Sequence, residues 1–223
     1  MFINENRFFS MIENFFENTS NVLHEIIQNS CRAGADKLDI SFKNQELIAI
    51  DNGIGCHSWQ SIFILAGSGW NKEIQDNQQP AGFGMYHLLA ISTSVYIKSL
   101  FGSIEIDTET FFKEKSYREN IENLVNKNNT DKHFYLKAKL KEKAVFDIQY
   151  TLFDKAAIQF GWYDIDIKIN NIPITKNTPT SFLNKKNNLI STIYKDNEVL
   201  INIPHFNTVR NFEIIHYLID FYG

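Results

Sequence analysis

The chain has 223 residues, of which 43% are hydrophobic and 14% aromatic; this is enough apolar material for a buried core and excludes a disordered chain. A net charge of −4 argues against a strongly basic nucleic-acid binder, and the few prolines and glycines argue against a linker. Without an apolar run of about 18 residues or a CxxC pair, we expect a cytoplasmic protein that has neither a membrane span nor a zinc site.

The first half of the chain predicts helices around a hairpin. Apolar residues recur at helical spacing over residues 5–17, and a second helix is predicted from Val22 to Arg32, ended by Ala33-Gly34-Ala35. The next elements in chain order are a hairpin, a short helix, a polar loop and a buried helix: 38–42 with 46–50, 58–66, 67–82 and 83–91.

The second half predicts more strands than helices. Alternating apolar residues predict strands over 95–100, 103–108 and 134–140, with a polar helix at 113–125 before the last of them. The last third predicts a helix, a strand–turn–strand unit, two strands and a closing helix, at 153–162, 164–174, 189–194 with 198–203, and 211–222.

Glu25 and Asn29 lie four residues apart on the second predicted helix, and therefore one turn apart on the same face. A carboxylate and an amide in this arrangement can orient a water molecule and supply oxygen ligands to magnesium. The same pair also fits a solvated helix face, so the spacing by itself leaves both interpretations open.

Two glycine-rich segments carry the other candidate chemistry. In Asp51-Asn52-Gly53-Ile54-Gly55, an apolar strand delivers a carboxylate into a turn whose glycines let a ring or a phosphate approach the backbone, although an ordinary hairpin turn fits too. Gly82-Phe83-Gly84 opens a helix after the polar loop, and amides at a helix N-terminus bind phosphate. A single Gly-x-Gly is a weak signal, and the chain has no Walker A lysine motif.

In this order and spacing, the three segments resemble the GHKL superfamily of gyrase-type topoisomerases, heat-shock chaperones, histidine kinases and MutL-type ATPases. Residues 25–35 (EIIQNSCRAGA) resemble its N box in the MutL and MORC style, and residues 51–55 and 82–84 resemble its two glycine boxes. The resemblance covers about residues 20–140. It implies an α+β fold of the Bergerat type, a two-layer sandwich with helices on one face of a mixed, mostly antiparallel sheet, followed by a small α/β extension.

The same resemblance implies a Mg-ATP site. Glu25 would polarise the attacking water, Asn29 would give an oxygen to Mg²⁺, and Asp51 would accept a hydrogen bond from the adenine amine. Loop 67–82 would be the ATP lid. The remaining residues would surround the base and the phosphates: Ala33, Gly53 and Gly55 at the base, and Gly82, Phe83 and Gly84 at the phosphates.

The chain departs from the family pattern at two places. Tyr86 stands where many relatives have a further glycine, which affects the expected contacts of the γ-phosphate. Many relatives also have a Gly-Thr pair that opens the late strand behind adenine, whereas here the strand near Phe134 follows Asp131-Lys132-His133 and no threonine takes that place.

We expect an ATP-binding domain at 1–142 and an α/β extension at 143–223, which would resemble part of a transducer domain. The predicted function is Mg-ATP binding with slow hydrolysis, in which lid closure switches conformation or homodimerisation. One alternative is an ATP-sensing interaction module that does not hydrolyse ATP. Another is the ATPase part of a nucleic-acid repair or defence machine, for which the net charge gives no support.

Overall fold

The structure, a computed structural model, describes residues 19–56, 58–63, 84–176, 191–195 and 198–202. The chain forms two compact units, the first made of residues 1–156 with 163–174 and the second of residues 157–162 with 175–223. Every candidate site residue falls within the first unit.

In chain order, the helices are α1 (Asn21–Arg32), α2 (Trp59–Phe63), α3 (Gly84–Ile91), α4 (Thr108–Lys113), α5 (Lys115–Glu119), a 3-10 helix (Ile121–Leu124), α6 (Glu142–Tyr150), a π-helical turn (Thr151–Lys155) and α7 (Ala156–Phe160). The strands are β1 (Lys37–Lys43), β2 (Glu46–Asp51), β3 (Ser92–Ser99), β4 (Gly102–Asp107), β5 (Phe134–Leu140), β6 (Asp166–Ile169), β7 (Ile172–Pro173), β8 (Ser191–Lys195) and β9 (Glu198–Asn202).

A seven-stranded sheet with the order β4-β3-β5-β2-β1-β6-β7 organises the first unit. All neighbouring strands are antiparallel except β1 and β6, which are parallel. The predicted α+β class, with helices against a mixed and mostly antiparallel sheet, is therefore confirmed. In the second unit, β8 and β9 form an antiparallel hairpin.

The alternation of side chains along each strand places the core on one face of the sheet. On β5, Leu136, Ala138 and Leu140 are buried, whereas the intervening Lys137 and Lys139 are half-exposed or exposed. Helix α1 buries Leu23 and Ile27, and helix α3 is buried along most of its length. We call the face that carries the buried side chains the inner face and the opposite one the outer face.

Most predicted elements in the described ranges are confirmed, including the helix that ends at Arg32, the first hairpin and the strand at 134–140. The helix predicted at 113–125 is wrong, because the structure breaks this region into α4, α5 and the 3-10 helix. The helix predicted at 153–162 starts too late, since α6 already begins at Glu142. The helices predicted at 5–17 and 211–222 and the loop at 67–82 lie outside the described residues.

The structure divides the chain differently from the predicted boundary at residue 142. Strand β6 pairs with β1, so that Lys37 lies opposite Asp166 and Ile40 opposite Ile169, and this part of the predicted extension completes the sheet of the first unit. None of the helices in the part of the chain that the structure describes has the length and apolar character needed to cross a bilayer.

Candidate functional site

Helix α1 carries the first group of candidate residues and is fixed at both ends. Its apolar side chains face the core, and just before it the Thr19 hydroxyl donates to Asp147 of α6 at 2.7 Å. Glu25 is half-buried and Asn29 is exposed, whereas Ser30 is buried against the sheet. The helix therefore turns Ser30 towards the sheet and leaves Glu25 and Asn29 on its more exposed side.

The carboxylate of Asp51 ends strand β2 beneath the end of helix α1. It is only 5% exposed, and its two oxygens accept hydrogen bonds from the Ser30 hydroxyl and the Gly53 backbone amide, each at 2.9 Å. Burial raises the pKa of the Asp51 carboxyl, while the hydrogen bonds from Gly53 and Ser30 and the charge of His133 oppose the rise. Because a carboxylate has about four acceptor positions, it retains capacity for one further donor.

The turn after Asp51 packs tightly on the end of helix α1. The Ile54 amide donates to the carbonyl of Ala33 at 2.9 Å, and a Cβ added to Gly53 would lie 2.8 Å from both the Cβ and the carbonyl oxygen of Ala33. Only a residue without a side chain fits here. The close approach brings Ala33, Asp51 and Gly53 together, and their role at a base site stays a prediction.

The far end of the same turn is held by strand β3. Gly55 has φ +72°, in the left-handed region that glycine adopts most readily, and a Cβ there would lie 2.5 Å from the Ser99 hydroxyl oxygen. That hydroxyl accepts a hydrogen bond from the Cys56 amide at 2.8 Å. Both predicted glycines of this segment therefore serve a turn of fixed shape.

Helix α3 meets helix α1 at Glu25. A Cβ added to Gly84, the first residue of α3, would lie 2.9 Å from the Oε2 atom of Glu25 and 3.0 Å from its Cβ. A carboxylate near a helix N-terminus is stabilised by the exposed amides and the helix dipole. The structure thus places the candidate base next to the start of the candidate phosphate-binding helix.

The amide of Asn29 has an oxygen at the edge of the site, where its Oδ1 accepts a hydrogen bond from the Arg32 guanidinium at 3.1 Å. Magnesium in nucleotide sites takes few protein ligands and completes its shell with phosphate oxygens and waters. Asn29 and Glu25 are oxygen donors one helical turn apart, so their chemistry fits Mg²⁺ provided that Arg32 releases the amide oxygen. Within the described ranges, no group of three or more His, Cys, Asp or Glu side chains is placed to hold a metal.

Six of the nine predicted site residues fall into two groups of contacts. Ala33, Asp51, Gly53 and Gly55 form one group around the turn, and Glu25 and Gly84 form a second group along helix α1. Asn29 lies between Glu25 and Ala33 in sequence, on the exposed side of the helix. Gly82 and Phe83, together with loop 67–82, lie outside the described residues, so their phosphate contacts stay a prediction.

Sequence reasoning missed Ser30 and Ser99, the two hydroxyls that fix Asp51 and the glycine turn. Ser30 follows Asn29 directly, and its hydroxyl also contacts the Ile26 carbonyl at 3.2 Å. Its side chain faces the sheet because it lies three residues after the buried Ile27. Ser99 gives no sequence signal, because only the pairing of β3 with β5 brings it beneath the turn.

Tyr86, where the sequence departs from the pattern that it resembles, is a packing residue. It is 2% exposed, its hydroxyl donates to the carbonyl of Phe63 at 2.7 Å, and its ring lies 5.7 Å from that of Phe111. A buried tyrosine with a satisfied hydroxyl contributes to the core next to helix α2.

A separate shallow concavity lies on the outer face of the sheet. Its lining includes Tyr96, Tyr135 and three lysines of β3 and β5. Two of these lysines are in ion pairs, Lys98 with Asp131 at 3.0 Å and Lys137 with Glu46 at 2.7 Å. The paired charges are typical of a solvated sheet face, and this face adds no support for a nucleic-acid partner.

No protein-family model matches this chain, and no curated protein matches it either. The functional interpretation therefore depends on the three sequence segments and on the contacts that connect them.

Proposed function

We propose that this chain binds Mg-ATP and hydrolyses it slowly. The observation that carries the proposal is that the Asp51 turn and the start of helix α3 both pack on the α1 segment. Helix α1 contacts the Asp51 turn through Ser30 and Ala33, and it contacts the start of helix α3 through Glu25. This is the arrangement expected if one helix connects a base site to a phosphate site.

The base would bind at Asp51. The two hydrogen bonds from Ser30 and Gly53 orient the carboxylate and leave an acceptor position for an exocyclic amine. The close packing of Gly53 on Ala33 holds the turn beside the Asp51 carboxylate, where a flat ring that donates to this carboxylate would have to lie. Adenine offers both the amine and the flat ring.

The phosphates would extend from Asp51 along helix α1 towards Gly84. In the proposed reaction, water attacks the γ-phosphorus, Glu25 accepts the proton of that water, and ADP leaves with the electron pair of the broken bond. Bound Mg²⁺, held by Asn29 and the phosphates, would neutralise charge on the phosphate oxygens. Backbone amides at the start of α3 would stabilise charge that develops in the transition state.

The first prediction separates binding from hydrolysis. In Glu25→Ala, we expect the ATP dissociation constant to stay within about threefold of the wild-type value, because Glu25 acts on water and not on the base. Steady-state turnover should fall by about a hundredfold or more, since loss of a general base typically costs this much. Calorimetry with a non-hydrolysable analogue and a phosphate-release assay measure the two quantities.

Glu142→Gln is the matched control, because Glu142 is an exposed carboxylate in the first turn of another helix, α6. It should leave both quantities unchanged. Normal turnover by Glu25→Ala would remove the role assigned to Glu25. Failure of the wild-type protein to bind ATP in the presence of Mg²⁺ would overturn the proposed function as a whole.

A second candidate function is an ATP-sensing module that binds ATP without turnover and uses lid closure to switch a partner or a homodimer. The hydrogen bond from Arg32 to Asn29 favours it, because it uses one lone pair of the Asn29 oxygen and places a positive charge beside the proposed magnesium position. Binding without phosphate release, in both the wild-type protein and Arg32→Ala, would support this candidate. Multiple-turnover hydrolysis by the wild-type protein would exclude it.

A further inference from the structure

Phe134 opens strand β5 and lies beside Asp51. The antiparallel pairing of β2 with β5 places Asp51 directly opposite Phe134, and side chains of such a pair lie on the same face with Cβ atoms about 5 Å apart. Phe134 therefore points to the inner face, next to the carboxylate proposed to bind the base.

The exposure of Phe134 differs from that of the other inner-face residues on its strand. Leu136, Ala138 and Leu140 are each 2% exposed or less, whereas Phe134 is only half-buried. The layer that covers the sheet is therefore incomplete at this end, and an aromatic side chain with uncovered surface stands beside the buried carboxylate.

The phenyl ring gives this position an apolar, aromatic chemistry beside the carboxylate. Phenylalanine donates no hydrogen bond, and the hydroxyl that Asp51 needs comes from Ser30 on helix α1. The position is thus free to supply apolar, aromatic surface. A flat heteroaromatic base is the group that such a surface contacts most favourably.

We infer that Phe134 forms the aromatic wall of the base subsite and makes the site prefer purine over pyrimidine nucleotides. The inference depends on the proposed ATP-binding function and adds to it the residue that selects the base. Adenine and cytosine both offer an exocyclic amine to Asp51, but the two-ring base covers more of the phenyl ring. The apolar contact, and not the hydrogen bond, should distinguish them.

The test measures ATP and CTP dissociation constants by calorimetry with Mg²⁺, using non-hydrolysable analogues, for the wild-type protein, Phe134→Ala and Phe134→Trp. We expect Phe134→Ala to weaken ATP binding about tenfold, the usual size of a lost base–aromatic contact, and to weaken CTP binding less. Phe134→Trp should stay within about threefold of the wild-type value for ATP, because it restores an aromatic surface.

Tyr135→Ala is the matched control, because Tyr135 is the next residue on the same strand and faces the outer side of the sheet. It removes a half-buried aromatic ring from β5 without touching the subsite, and it should leave both dissociation constants unchanged. Equal weakening of ATP and CTP by Phe134→Ala, or no weakening, would overturn the inference and leave the proposed function standing. A wild-type protein that binds neither nucleotide would overturn both.

Discussion

The two ends of strand β2 are built in opposite ways. At its start, Asn44 and Gln45 form an exposed two-residue turn that connects it to β1. At its other end, Asp51 carries a buried carboxylate and the chain then packs against helix α1 through Gly53. One end only reverses the chain, whereas the other packs a buried carboxylate and glycine residues against the end of helix α1.

This difference distinguishes residues that only let the sheet form from residues that could bind a ligand. The hairpin turn connects β1 to β2 through exposed residues. These residues need only a positive φ, which is 52° at Asn44 and 67° at Gln45. The Asp51 end buries a carboxylate, which lowers stability unless hydrogen bonds or a partner charge offset the loss of hydration. We therefore expect substitutions at the two ends to affect folding and nucleotide binding differently.

The largest change in folding stability is expected for Gly53→Ala. The new methyl group would overlap with the Cβ and the carbonyl oxygen of Ala33, and we expect it to lower the free energy of unfolding by about 1–3 kcal/mol, as overpacking usually does. ATP affinity should fall as well, because the turn and the end of α1 must separate. Urea denaturation and calorimetry measure the two effects.

Gly34→Ala provides the control for this change. Gly34 has φ +69° but nothing within 4 Å of an added Cβ, so its substitution costs only backbone strain, of about 1 kcal/mol. A Gly53→Ala protein as stable as the wild type would show that the turn is not fixed against α1.

For Asp51→Asn we expect a change in folding stability of intermediate size, and here the stability should increase. Because burial raises the pKa of Asp51, the folded state binds its proton more tightly than the unfolded state does. The wild-type protein therefore loses stability as the pH rises from the ordinary Asp pKa, about 3.9, through the raised one. The neutral amide avoids this loss and still accepts the Gly53 hydrogen bond.

At pH 7, Asp51→Asn should thus unfold at a higher urea concentration than the wild-type protein, and the advantage should disappear towards pH 3.5. Its ATP binding should be lost, because the amide nitrogen opposes the adenine amine. Asp39→Asn, on an exposed position of β1, should change neither property. A less stable Asp51→Asn at pH 7 would show that the charged carboxylate contributes to folding.

Local patterns in the sequence were sufficient for most of the sheet. The alternation at Phe134–Leu140 and at Asp166–Ile169 fixes which side chains are buried, and the paired asparagines at 170 and 171 form the predicted turn with φ 47° and 66°. The prediction of a single helix at 113–125 was wrong, because this region has too few apolar residues to select one helix. Glu114 and Asn120 interrupt it.

The candidate site was predictable only as separate segments. The N-box-like helix and the DNGIG turn are visible as motifs, but the contact of Gly84 with Glu25 and the position of Phe134 beside Asp51 arise from tertiary packing and strand register. A single sequence contains no signal for register between β2 and β5, since their pairing joins residues more than 80 positions apart.

The smallest change in folding stability is expected for Gln45→Gly, in the turn at the start of β2. Glycine removes the cost of a side chain at φ 67°, but it also increases the entropy of the unfolded chain, so the free energy of unfolding should rise by only about 0.5 kcal/mol. The equivalent Asn171→Gly should change it less, because asparagine tolerates this conformation better than glutamine. Nucleotide affinity should stay unchanged in both variants. A change in ATP binding on Gln45→Gly would mean that the two ends of β2 are coupled, and the contrast between a structural and a functional end would then be lost.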